Sequence, residues 1–293
     1  MNEFATISRA RRFLKEAGIK SVPVDLKRLT AAANARIKLV RDMRDDESGQ
    51  TTRLGGKHVI IVNGNHRAER QRFTVLHELG HIVLDLPSQH GGPTLKTETL
   101  LGYRGRPEEE MLCDVFAAEC LLPYETFGKE VADSDISMET VKSFARAYEA
   151  SLTATGSRFA LNANAPCAFV LSEAGRVRYV SRSKYLNELK GWIGFNTPVP
   201  RDSVAGRLMR DGMKNEDYDE IPADVWFDGG IRNRPVVEEE SMVLHEWNQC
   251  LSLLWFDESV SPLGERGDTG SDEDELLKEL DGVLPWPSKS RRR

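Results

Sequence analysis

Apolar residues recur at three- to four-residue spacing in several separate stretches of the chain, and each stretch predicts a helix. Over residues 8–18 the repeat is Ala10, Phe13, Leu14 and Ala17, and Gly18 stops it. A second, shorter helix follows Pro23 and Asp25, with Leu26, Leu29 and Ala33 apolar. Residues 44–56 are polar and glycine-bearing and predict a loop or a turn between short strands, whereas His58–Val62 is β-branched and predicts a buried strand. After the turn signal Asn63-Gly64-Asn65 a long helix is predicted over 67–86, closed by Pro87. Residues 88–106 read as a surface loop. A further helix starts at Pro107, carries Glu108, Glu109 and Glu110 in its first turn, and ends before Pro123. Another is predicted over 138–151.

Beyond about residue 165 the pattern changes to short runs with strand character. Ala168–Leu171 and Val177–Ser181 predict one hairpin, and Ser241–His245 with Gln249–Phe256 a second. A short helix is predicted between them at Ser203–Met209. The expected fold class is therefore α+β, with a helical domain carrying a short sheet over residues 1–160 and a smaller α+β domain over 161–257. Residues 258–293 are rich in Gly, Ser and acids and are expected to form a disordered tail with the small basic tip Arg291–Arg293.

Composition narrows the function classes. A chain of 293 residues, 40% hydrophobic and 29% charged, has material for a substantial core. Its net charge of -6 argues against a broad phosphate-binding face, and the helix pair around 138–161 lacks a strongly basic recognition helix. Direct nucleic-acid binding is not expected. No stretch has the length and apolarity of a membrane span or a signal peptide. Cys113, Cys120, Cys167 and Cys250 form no CxxC pair, so reduced thiols and a cytoplasmic location are expected.

The chemistry gathers in His77-Glu78-Leu79-Gly80-His81, an HExxH pattern. On a helix, positions i and i+4 share a face, so two imidazoles there can hold one Zn²⁺ while the intervening glutamate acts as general base. Phe73, Leu76, Gly80, Val83 and Leu84 form an apolar stripe that anchors that helix. So short a pattern also arises by chance on ordinary helices. A third ligand is available in Glu110, which would complete a His₂Glu set with one position open. Glu110 can equally be a plain first-turn acid, as Glu108 and Glu109 can. Asp114, one turn further on, could fix the tautomer of a ligand histidine, and an acid on so apolar a helix needs a partner.

The segment RFTVLHELGHIVLDLP, followed by E-x-x-x-D-x-FAAECLLP, resembles the ImmA/IrrE family of zinc metallopeptidases. VPVDLKRLTAAANARIKLV and HVIIVNGNHRAERQRF extend the resemblance, which covers roughly residues 5–150. It implies a zincin-like domain with His77, His81 and Glu110 as ligands of Zn²⁺ and Glu78 as catalytic acid/base. It also implies a substrate, a phage-type helix-turn-helix repressor protein cut to relieve repression. The sequence departs from the family at Cys113-Asp114, where Ala-Asn is frequent. In peptidases of this general build an edge strand beside the metal aligns the extended substrate, and the strand at 58–62 is the candidate. The alternative function is a non-catalytic regulatory binding protein on the same scaffold. His66, His90, Tyr103 and Arg104 are candidates for stabilising an oxyanion, and each is as readily a plain surface residue. Cys113 and Cys120 read as core fillers with the option of a redox or metal role, and His245 as structural.

Overall fold

The computed structural model describes residues 2–87, 107–228, 231 and 236–256. The fold is α+β, in two compact units, Met1–Phe159 and Ala160–Arg293. The loop predicted at 88–106, the tail at 258–293 and its basic tip lie outside the described residues. Among the described residues, no helix is long and apolar enough to cross a membrane.

In the first unit, α1 (Glu3–Glu16) and α2 (Leu26–Ala32) are capped by Asn2 and Asp25, whose side chains accept from backbone N–H groups of the first turn. Three strands follow, β1 (Ala35–Val40), β2 (Gly49–Leu54) and β3 (Lys57–Asn63). The sheet order is β1-β3-β2, parallel between β1 and β3 and antiparallel between β3 and β2. The strand predicted at 58–62 is thus central, flanked on both sides, so the free edge a peptide would need lies on β1 or β2 and not on it. β3 is central because its core residues Val59, Ile60 and Val62 are all buried, whereas β2 is polar and mostly exposed.

Two helices dominate the unit. α3 (Ala68–Leu84) buries Val75, Leu76, Leu79 and Leu84, and ends where Asp85 turns left-handed with φ 53°. α4 (Glu108–Leu121) packs along it and buries Leu112, Phe116, Ala117 and Leu121. Each of the valine, leucine and phenylalanine side chains contributes about 1.5–3 kcal/mol by leaving water. On the other side α1 meets α4 through Phe13 and Phe116, with ring centroids 6.0 Å apart. Glu119, only 1% exposed, accepts from Arg11 Nε at 2.8 Å, from the Tyr124 backbone N–H at 3.2 Å, and from Arg158. The network therefore fixes α4 firmly. A π-helical turn (Tyr124–Gly128), α5 (Lys129–Ala132), α6 (Met138–Tyr148) and α7 (Leu152–Asn162) follow.

The second unit is a five-stranded antiparallel sheet in the order β5-β4-β8-β7-β6. Its strands are β4 (Cys167–Glu173), β5 (Arg176–Arg182), β6 (Glu216–Pro222), β7 (Val236–Leu244) and β8 (Gln249–Trp255), with α8 (Lys184–Glu188) and α9 (Val204–Asp211) between β5 and β6. Positive φ at Ala174 and Gly175 makes the tight β4–β5 hairpin. The core gathers Val170, Leu186, Val204, Phe227 and Leu254. Glu239 is fully buried yet satisfied, accepting from the Val204 and Ala205 N–H groups, Trp226 Nε1 and the Ser241 hydroxyl at 2.7–3.0 Å. The predicted hairpins are both present. β6 and the first half of β7 were not expected.

Candidate metal centre

The helical register of α3 sets His77 and His81 one turn apart, with ring centroids at 5.0 Å. Their Nε2 atoms lie 3.2 Å from each other. Glu110, in the first turn of α4, brings Oε2 to 3.1 Å from His77 Nε2 and Oε1 to 3.4 Å from His81 Nε2. These three residues form a group able to hold a metal ion. Two imidazole lone pairs and a carboxylate pointed at one spot repel unless a cation lies between them. Ligand atoms about 2.0–2.1 Å from a tetrahedral ion stand roughly 3.3 Å apart, which matches the observed separations. The donor set fits zinc.

Asp114 Oδ1 lies 2.8 Å from His77 Nδ1. With the Nδ1 proton donated to that carboxylate, the Nε2 lone pair is left for the metal, and the ring cannot rotate away. Asp114 is itself buried, so the partner predicted for an acid on this face is present. His81 Nδ1 is buried without a hydrogen-bond partner among the described residues.

Charge among these residues is tightly linked. Burial alone would push His77 down, but the hydrogen bonds to Asp114 and Glu110 outweigh it and raise the imidazole to about 10. Burial opposes the charge on Glu110, yet its bonds to His77 and His81 hold that carboxyl well below the usual carboxylate range. A proton on His77 thus occupies the place a metal cation would take. Metal binding at neutral pH must release it. The sign follows: with the imidazole raised to about 10, protons compete with metal at every lower pH, so affinity climbs as pH rises. Zinc affinity should increase roughly tenfold per pH unit between pH 7 and 9, measured by competition with a chromophoric chelator. A flat profile would mean that His77 is already neutral at pH 7.

Glu78 lies between the two histidines in sequence and is 4% exposed. Its Oε2 accepts a hydrogen bond from the Thr51 hydroxyl at 2.8 Å. Thr51 sits on β2 within the polar segment, and no motif in the sequence marks it. Only the antiparallel pairing of β2 with β3, which places Thr51 opposite Ile60, carries it to the motif helix. Phe73, one turn before His77, is half-buried with its ring 6.4 Å from that imidazole.

The close helix pairing has a visible cause in Gly80. A Cβ there would stand 3.1 Å from Cys113 Cα, 3.2 Å from its Cβ and 3.3 Å from its carbonyl oxygen. The missing side chain lets α4 approach closely enough to carry Glu110 and Asp114 to the histidines.

The remaining candidates lie elsewhere. His66 Nε2 meets the Asp45 carbonyl at 3.1 Å in the turn before α3, and its hydrogen bonds do not join it to the cluster. His90, Tyr103 and Arg104 fall outside the described residues. Cys113 and Cys120 are buried core residues, and burial holds the Cys120 thiol well above its ordinary range, against a reactive thiolate. His245 bonds Asn215 Oδ1 at 3.0 Å in the second unit.

Comparison with known proteins agrees with this geometry. Residues 32–160 match the model of the M78 peptidases, the IrrE N-terminal-like domain. The chain is 27% identical over 188 residues to the radiation response metalloprotease IrrE of Deinococcus radiodurans, a match covering 56% of this chain and 55% of that protein. It is 42% identical over 71 residues to the protein of the same name from Deinococcus deserti, covering 23% of this chain and 24% of the relative. The chain thus spans about half the length or less of the curated relatives it matches. A solved structure, a Mycobacterium tuberculosis transcriptional regulator, shares the fold with a TM-score of 0.53 at 13% identity, over 85% of this chain and 76% of that one. The matched segment, residues 32–160, contains the histidines and acids of α3 and α4, and through that segment the chain is similar to the M78 peptidases and the IrrE metalloproteases.

Proposed function

We propose that the protein is a zinc-dependent endopeptidase of the HExxH type, acting in the cytoplasm on a helix-turn-helix repressor so that repressed genes are released. The observation that carries the reading is the convergence of His77, His81 and Glu110 on one point, with a buried carboxylate, Glu78, beside it. A bound zinc would polarise the scissile carbonyl and acidify the attacking water. The chain's own residues do the rest. Glu78 takes the proton from the water as it attacks and hands it to the departing amine. Asp114 holds the His77 ring in the tautomer that leaves Nε2 available. β2 pairs only with β3 among the named strands, so its outer edge can take an extended peptide by main-chain hydrogen bonds.

The test uses the full chain loaded with zinc, incubated with the helix-turn-helix repressors encoded near its gene. A discrete cut is expected, lost on chelation and restored by zinc. Uptake of less than about a tenth of an equivalent of zinc after dialysis would defeat the metal reading. Full zinc uptake without cleavage of any such repressor would defeat the substrate assignment and leave the metal site standing.

A further inference from the structure

We propose that Thr51 is a positioning residue for Glu78, holding the general base from the edge strand of the sheet; the assignment rests on the reading of Glu78 given above. Glu78 Oε2 is held by the Thr51 hydroxyl at 2.8 Å, and Oε1 makes no hydrogen bond among the described residues. One oxygen is thus tethered and the other is left to accept a proton. Without the tether the carboxylate would rotate about its last, broad torsion and spend part of its time turned from the reacting atoms.

The strand is built to deliver that hydroxyl. Gly49 lies two residues before Thr51, hence on the same face of β2. A Cβ at Gly49 would fall 2.5 Å from Thr74 Cγ2 on α3 and 2.8 Å from the Ile61 carbonyl oxygen. No side chain fits there, and its absence lets β2 lie close against α3. α3 is therefore approached closely on two sides, by α4 at Gly80 and by β2 at Gly49. The first contact brings Glu110 to the histidines, and the second brings Thr51 to the base. A consequence is that the strand proposed to receive the substrate also aims the base, so peptide alignment and base alignment share one element.

Acetohydroxamate tests this without a known substrate, because it chelates zinc and its hydroxyl proton passes to a carboxylate beside the metal. In zinc-loaded full-length protein, Thr51→Val should weaken acetohydroxamate binding about tenfold, the scale of one hydrogen bond to a charged group. Thr51→Ser should restore affinity to within about twofold, and Thr51→Val should have little effect in a Glu78→Gln background. Zinc content should stay at the parent value in all of them. A loss that persists in the Glu78→Gln background, or that Ser does not rescue, overturns the assignment, because Thr51 would then act through the fold. Should Thr51→Val not fold, Thr51→Ala serves for the same comparisons, and failure of both to fold likewise overturns it. Wild-type protein that takes up no zinc sinks the metal reading and this one with it. Zinc uptake with hydroxamate affinity indifferent to Thr51 sinks this one alone.

Discussion

Replacing Glu78 by glutamine is expected to leave zinc content and melting temperature near the parent values while lowering cleavage about a thousandfold, within the range for loss of a general acid–base. The structure says why fold and function should separate here. Glutamine has nearly the same shape, and its amide oxygen can still accept from the Thr51 hydroxyl that now meets Oε2. The buried position would lose a charge, which is favourable to burial, so no large stability cost arises. The candidate ligands are untouched, since the group able to hold a metal is His77, His81 and Glu110, without Glu78. What disappears is the ability to take a proton from water and return it to the amine. The measurement is the rate of cut-product formation by zinc-loaded protein, with zinc quantified in the same sample. Activity within about tenfold of the parent would show that proton transfer runs through another group.

The centre of the first unit was legible in sequence because two periods coincide there. The HExxH spacing matches a helical turn, and the apolar stripe of Leu76, Gly80 and Leu84 declares the same helix, so motif and element support each other. Glu110 was singled out as the third ligand in sequence, with a plain first-turn acid as the alternative, since helix-dipole preference and metal ligation ask for the same residue at the same place. Geometry separates them, for it is Glu110 that meets both imidazoles.

The sheets were harder. β1, with Arg36, Lys38, an exposed Leu39 and no fully buried apolar residue, carries a weak strand signal, and β2 is polar apart from the exposed Leu54. Edge strands bury little and often carry charge, so their alternation is faint. β6, Glu-Asp-Tyr-Asp-Glu-Ile-Pro, escaped for the same reason, with Ile221 its one buried apolar side chain. Whether β3 has a free side could not be read either, because that depends on partners that a local pattern does not show. Thr51 was hidden by the same gap. Its role exists only once β2 is laid beside β3 and pressed against α3.

Gly80→Val is expected to cost about 3 kcal/mol and to weaken zinc binding about a hundredfold, although the residue ligates nothing. The milder Gly80→Ala defines the scale. A Cβ at 3.1–3.3 Å from Cys113 backbone and Cβ atoms is too close by a few tenths of an ångström. Against that strain stands a gain of about 1 kcal/mol, because alanine is the better helix former. The two effects should nearly cancel, leaving stability within about 1 kcal/mol of the parent. Valine adds two γ-carbons at the same place and loses much of the helix preference, so overpacking wins. The obstacle is the backbone of α4, which cannot step aside as a flexible side chain would. α4 is also held from behind by Arg11 and Arg158 on Glu119, so it must tilt rather than slide. Glu110 lies three residues before Cys113 and moves with it. A carboxylate displaced by half an ångström or more no longer completes the site, hence the loss of zinc. Thermal unfolding and zinc competition on Gly80→Ala and Gly80→Val, run side by side, check the ordering. If Gly80→Val keeps both the parent melting temperature and the parent zinc affinity, the helix gap is not what places Glu110, and the site must be assembled by contacts other than this close approach.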